Sequence, residues 1–417
     1  MDSAHPLRLL HVAPRFYGRP ITGVEQRNYH LGARLAKHMQ VTHIGFSRPE
    51  ESPFPDANNP RHRFISVPRP ASYRLLDLLR GAVGPLPFSV LNYSRKEMRN
   101  ALTQLLGEHA YDIVLLEQVQ MGGYLPSLRR AANPPRAIVC DWHNIESEVL
   151  HRYADTARNP ARRLYARHAA SQLERYERRF VNQCDMHVAV SERDRNALTR
   201  YGAAVPVVVI ENGVDIAKFS LAADSQSGRR DRFRVVFVGA MDYHANVDAA
   251  TTFALSAWPE IRRCLPNAVF TIVGRNPGPE IRSLGAAPGI EVTGTVPDVR
   301  PYYDQALVAV APLRVAGGTR IKILEAMAAG VPVVSTARGA EGLAVERGVH
   351  CLLAETAEET RDAVVLLARD RAKAAQLASA GRDLVERRYD WSVLGDSLAA
   401  SLLALVESLS DRRAMGA

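Results

Sequence analysis

The sequence predicts an α/β protein made of two Rossmann-like domains, each a doubly wound parallel sheet. Three observations lead there. Short apolar runs rich in Val, Ile and Leu alternate with helix-length segments along the chain, the pattern of βαβ units whose strands are covered on both faces. The runs fall into two sets around a polar, weakly patterned stretch, roughly Ala222 to Asp231, which reads as a linker. The length, 417 residues, exceeds what one ordinary core holds. The expected domains are residues 1–212 and 213–390, followed by a last segment, 391–417.

In chain order, the first set of strands is Leu7–Val12, Val41–Phe46, Phe64–Val67, Ile113–Leu116, Ala137–Cys140, Met186–Val190 and Val207–Ile210. The second is Val235–Val238, Val269–Val273, Ile290–Val292, Leu307–Ala311, Val331–Ser335 and Cys351–Ala354. Helices fill the intervals. Gly23 opens the first. Pro160 to Phe180 is an Arg-rich helix with Leu164, Leu173, Tyr176 and Phe180 at roughly helical spacing. It reads as a solvated surface helix or as one lying on an anionic membrane, although Glu174 and Glu177 interrupt its positive face. Ser191, with Asp194 nearby, reads as the cap of another helix. The last long helix, about Trp391 to Leu409, either stays in the second domain or crosses back to the first.

Apolar content of 47% with 23% charged residues is that of a globular enzyme and argues against disorder. The formal charge of +9 is carried mostly by arginine. It reflects either a compositional bias or attraction to anionic ligands or a membrane face. No zinc-finger spacing, RNA-binding aromatic signature or basic tail points to nucleic acid. Cys140, Cys184, Cys264 and Cys351 are widely spaced without a CxxC pair, so buried free thiols in a reducing compartment are expected. The start, MDSAHPLRLLHVAP, lacks the apolar length of a signal peptide, and no run approaches a transmembrane span. The expected location is the cytoplasm.

The densest chemistry lies in PLRVAGGTRIKILEAMAAG, Pro312 to Gly330. A strand feeds a turn with Gly317 and Gly318, and a helix follows with Arg320, Lys322 and Glu325 near its start. Glycines allow close backbone approach, and a helix N-terminus favours anions. The segment can seat a diphosphate, with a carboxylate one turn further on for sugar hydroxyls. It is not a GxxxxGK[ST] loop, and no GxGxxG follows the first strand, so a nicotinamide dinucleotide loses its main support. Gly239, Gly274–Arg275 and Gly294–Thr295–Val296 follow three successive strands of the second set, consistent with backbone approach to one nucleotide. In the first set, Cys140-Asp141-Trp142-His143-Asn144-Ile145-Glu146 places polar groups at a strand end. There His143 could donate a hydrogen bond or move a proton, oriented by Asp141 or Glu146. The alternative is a capped helix start using Asn144 and Glu146. In facing α/β domains of this kind the active site is expected in the interdomain cleft.

These residues resemble glycosyltransferase family 4, a group with the GT-B fold. The likeness is strongest from Val235 to Leu343, in VGRNP, GTVPDVRPYY and KILEAMAAGVPVVST, and Glu211–Asp215 resembles the family's NGVD junction. Gly23 and His143 match its first-domain glycine loop and active-site histidine more loosely. The resemblance implies transfer of a sugar from a nucleotide-diphosphate sugar to a carbohydrate or glycolipid hydroxyl, with retention, in polysaccharide, cell-envelope or glycolipid biosynthesis. It implies no bound metal and no further cofactor. Glu325 matches the family's ribose-binding glutamate, and His143 would lie near the reacting centre. Two departures stand out. Gly317 occupies the position of a usual glutamate, and the loop GAMDYHANVD lacks the usual Arg and Lys. Arg320 and Lys322 are therefore expected to stabilise the departing diphosphate, with Gly318 and Thr319 amides against the donor sugar. A non-catalytic nucleotide-sugar binder and a GT-B epimerase are the alternatives.

Overall fold

The computed structural model describes residues 6–15, 23–47, 59–69, 77, 80–81, 84–156, 159–219, 233–314 and 320–415. The chain divides into two compact units, residues 1–211 with 394–417, and residues 212–393. The expected linker from Ala222 to Asp231 lies outside the described residues.

The first unit holds β1 (Arg8–Ala13), β2 (Gln40–Ser47), β3 (His62–Pro68), β4 (Ile113–Glu117), β5 (Ala137–Trp142), β6 (Met186–Ala189) and β7 (Val207–Val209). They form one sheet in the order β3-β2-β1-β4-β5-β6-β7, with neighbours parallel. The second unit holds β8 (Arg234–Val238), β9 (Val269–Val273), β10 (Ile290–Gly294), β11 (Val308–Ala311), β12 (Val333–Ser335) and β13 (Leu352–Leu353). Their order is β10-β9-β8-β11-β12-β13, again parallel. Every strand expected from the sequence is present, shifted at its ends by a residue or two. Two Rossmann-like α/β units result. Each sheet reverses its winding once, between β1 and β4 and between β8 and β11. Ligands of such sheets sit beyond the strand C-termini at that reversal.

The strands are apolar throughout because helices cover both faces. Leu9, Leu10, Val12, Val114 and Leu116 are buried in the first sheet, and Val235, Val236, Phe237, Phe270 and Ile272 in the second. Burying one such side chain fully is worth about 1.5–3 kcal/mol. The final helix, Trp391–Met415, outruns its expected end at Leu409. It is long and apolar enough to cross a membrane, yet Leu394, Leu398, Leu402, Leu405 and Val406 are buried. Gly395 lets the side chain of Arg34 cross it, since a Cβ there would stand 2.5 Å from Arg34 Cβ. Arg34 Nε then donates to Asp396 at 2.6 Å.

Two expectations need correcting: no run was expected to approach a transmembrane span, yet the final helix has that length and apolarity, and the cysteines are not all buried. All four cysteines are free, but Cys264 is exposed while the other three are buried. It is the last residue of the helix Ala257–Cys264, beyond the buried Ala257, Trp258 and Ile261. The Arg-rich helix spans Pro160–Phe180 as expected and buries Leu173 and Phe180, whereas Leu164 lies off the buried stripe and is exposed.

Candidate functional site

In the first unit the site begins at the sheet reversal. β4 ends in Glu117, and Gln118 follows with φ of 66°, a left-handed conformation that costs a non-glycine residue about 1–3 kcal/mol and gathers at functional sites. Its amide donates to the Asp141 carbonyl at 2.8 Å, which ties the ends of β4 and β5 together. From the helix Gly23–His38, buried Arg27 reaches across. Its Nε and Nη2 donate to the two Asp141 carboxylate oxygens at 2.9 and 2.8 Å. Its Nη1 donates to the carbonyls of Ile210 and Glu211 at 2.8 and 2.9 Å. Burial pushes the Asp141 carboxyl up, but the Arg27 guanidinium and then His143 override it, so Asp141 sits well below the usual carboxylate range.

His143, just past β5, is 6% exposed. Its Nε2 lies 3.7 Å from Asp141 Oδ2 and 3.9 Å from Glu117 Oε1. Neither ring nitrogen has a hydrogen-bond partner among the described residues, which leaves a donor and an acceptor for a ligand. Of the two carboxylates expected to orient it, Asp141 approaches but is already clamped by Arg27. Burial raises the pKa of Glu146, against the pull of His143 and a hydrogen bond from Gln120. Behind Glu117, His11 Nε2 lies 3.9 Å from Glu117 Oε2, and His11 Nδ1 meets His43 Nδ1 at 3.0 Å, one nitrogen donating and the other accepting. Burial pushes His11 down to about 3, so it is neutral. Gly23 is the first residue of its helix.

The second unit has its own candidate site, built around two glycines. A Cβ on Gly274, after β9, would stand 1.6 Å from the Gly239 carbonyl oxygen. One on Gly239, after β8, would stand 2.8 Å from Asn246 Nδ2 and 3.1 Å from Lys322 Nζ. Lys322 is the second residue of the helix Ile321–Ala328. Its Nζ donates to Asn246 Oδ1 at 2.5 Å and lies 4.3 Å from the Phe237 ring centroid. Asn246 Nδ2 donates to the Ala240 carbonyl at 2.9 Å, which fixes the amide so that its oxygen faces the ammonium. One turn beyond, Glu325 Oε2 lies 3.4 Å from the Tyr303 hydroxyl, which donates to the Lys322 carbonyl at 3.2 Å. Lys322 and Glu325 are only partly exposed. Burial is the largest influence on both, lowering Lys322 to about 7 and raising Glu325 to about 7.

Arg320 precedes that helix and is buried. Its Nη2 donates to the Arg338 carbonyl at 3.2 Å and lies 3.5 Å from Glu341. Arg275 stands 4.0 Å from Asp242, and its carbonyl accepts from the Met241 amide at 2.9 Å, which joins the loops after β8 and β9. Val296 packs on the cluster around Tyr303 and Ile323. The structure thus brings together Gly239, Lys322 and Glu325, and places Arg275 on the adjoining loop. Gly317, Gly318 and Thr319 lie outside the described residues. Among the described residues, no group of three or more His, Cys, Asp or Glu is arranged to hold a metal ion. Sequence reasoning missed Arg27, Glu117, His11, His43, Asn246 and Tyr303. The two histidines had a signal, since each interrupts an apolar strand run, and Glu117 had a weaker one as the charge that ends the run Ile113–Leu116.

Two parallel-sheet units with glycine-rich strand ends define the GT-B class. Solved structures agree at the level of fold. A sucrose-phosphate synthase from Thermosynechococcus elongatus has a TM-score of 0.69 at 19% identity, covering 96% of this chain and 100% of that one. The Anabaena protein Alr3699/HepE, in complex with UDP and glucose, has a TM-score of 0.65 at 17% identity, covering 95% and 100%. The family models are more specific. "Glycosyltransferase Family 4" matches residues 21–218 and "Glycosyl transferases group 1" matches residues 232–370. The chain belongs to glycosyltransferase family 4.

Among curated relatives, a GDP-mannose-dependent alpha-(1-6)-phosphatidylinositol monomannoside mannosyltransferase of Mycobacterium tuberculosis is 29% identical over 244 residues. That match covers 53% of this chain and 62% of the relative, so the chain spans less than two thirds of its length. The Mycolicibacterium smegmatis protein of the same description is 26% identical over 334 residues, covering 75% of this chain and 80% of the relative.

Proposed function

We propose that the protein is a retaining glycosyltransferase that moves a sugar from a nucleotide-diphosphate sugar to an acceptor hydroxyl in glycolipid or polysaccharide synthesis. The observation that carries this reading is the Lys322 ammonium, held by Asn246 beside Gly239, whose lack of a side chain leaves room for both groups. Departure of a nucleoside diphosphate builds negative charge on its oxygens, and preorganised donors stabilise that charge. Lys322 supplies a fixed cation with no metal needed, and Arg320 adds a second charge at the same helix start. Glu325, one turn on, accepts from the ribose hydroxyls. Gly239, Arg275 and Val296 bound the nucleotide, and the Gly318 and Thr319 amides serve the donor sugar. His143 hydrogen-bonds a hydroxyl of the transferred or accepting sugar, while Gly23 begins the helix of the acceptor unit. Mannose on GDP is the first donor to try, because the two mycobacterial relatives described above are GDP-mannose-dependent.

The test is release of diphosphate from GDP-mannose, UDP-glucose and related donors, with water as acceptor and the product anomer followed by NMR. One donor should be turned over with its configuration kept. Lys322→Met should slow that release by roughly 10²–10³-fold with little change in unfolding temperature. Binding without release would favour a non-catalytic binder, and an epimerised donor would favour the epimerase.

A further inference from the structure

The helices Glu146–Thr156 and Pro160–Phe180 pair in the first unit, and their adjoining ends form a basic and apolar tip that the proposed reaction does not use. Along the second helix the buried stripe is Ala166, Ala170, Leu173, Glu177 and Phe180. Its first two turns contribute little to that stripe. Arg162, Arg163, Leu164, Tyr165, Arg167 and His168 are all exposed. Leu164 is 73% exposed, Tyr165 53%, and Tyr153 near the end of the preceding helix 51%. A single exposed leucine needs no explanation, but three large apolar side chains interleaved with arginine do.

The two glutamates that interrupt the positive run in sequence do not face this tip. Glu177 is buried, its carboxylate accepting from the Ser147 amide at 3.2 Å and from the Ser147 hydroxyl. Glu174 lies more than two turns along the helix and pairs with Arg178 at 2.8 Å and with His151 at 3.7 Å. On the preceding helix Glu148 is taken by Arg193 and Arg200. Asp155 is the acid nearest the tip, 3.5 Å from Arg167. On the apolar final helix, by contrast, Leu394, Leu398, Leu402 and Leu405 are buried against the unit.

We propose that this tip docks on an anionic lipid bilayer, with Leu164, Tyr165 and Tyr153 at the headgroup boundary and Arg162, Arg163 and Arg167 against lipid phosphates. Charge complementarity selects the bilayer over a second copy of the chain. A two-fold contact through the tip would set arginine against arginine. The contact holds whether or not the chain is a transferase.

The experiment is flotation of the full chain with phosphatidylcholine vesicles, with and without phosphatidylglycerol, over a range of salt. Binding should require phosphatidylglycerol and weaken as salt rises. Arg162→Glu with Arg163→Glu should weaken it by at least about tenfold. Leu164→Ser with Tyr165→Ser should weaken it by about tenfold while the remainder stays salt-sensitive. All four positions are exposed, so unfolding temperatures should not move. Three results would overturn the proposal: no binding to phosphatidylglycerol vesicles, binding that both variants retain, or self-association of the chain that the Leu164/Tyr165 variant abolishes.

Discussion

Arg27 in the first unit is buried and Lys322 in the second is partly exposed, and the two cations do different work. Arg27 spends its guanidinium on Asp141 and on the Ile210 and Glu211 carbonyls. It therefore fastens the end of β5 and the exit of β7 to the first helix, a structural role. Arg27→Met should cost about 3–5 kcal/mol, because Asp141 would be left buried and unpaired. Chemical denaturation of the variant checks the figure, and Arg27→Met with Asp141→Leu should recover part of the loss. Among the described residues Lys322 has one side-chain acceptor, Asn246, and an ammonium has three donors. Its stability contribution is small beside the charge it offers an anion.

Among the elements, the strands were legible and their partners were not. Parallel strands covered on both faces read as unbroken apolar runs, so β1 to β13 could be located from the sequence. Lys322 and Glu325 were legible together because three residues along a helix place two side chains on one side. Asn246 and Tyr303 reach the same spot from 76 and 19 residues away, and no local pattern announces that. Arg27 meets Asp141 across 114 residues, again a product of topology. His11 and His43 were visible as breaks in apolar runs, and become partners only because β1 and β2 pair in register at those two residues. The close passage of the loops after β8 and β9 is likewise a property of neighbouring strands. Gly274→Ala would drive a Cβ into the Gly239 carbonyl and push the β8 loop off Asn246 and Lys322. The expected outcome is a fall of several degrees in unfolding temperature together with lost diphosphate binding. Gly278→Ala, which would meet nothing within 4 Å, should leave both near wild type.

At the scale of the whole molecule, the proposed nucleotide seat lies in the second unit, with the protonated Lys322 as its anchor. A lysine lowered to about 7 is charged below that pH and neutral above it, so diphosphate affinity should fall as pH rises through the window. Calorimetric titration of GDP, UDP, TDP and ADP into wild type and Lys322→Met, at about pH 6 and about pH 8.5, cancels the ligand's own titration, which is common to both proteins, and leaves that of Lys322 together with Glu325, whose loss of a proton in the same window disfavours an anion in the same direction. One diphosphate should bind wild type about tenfold tighter at the lower pH than the ligand's titration alone explains, with both the affinity and that excess lost in the variant. Equal binding by the two proteins at both pH values, or no binding of any diphosphate to wild type, would contradict it.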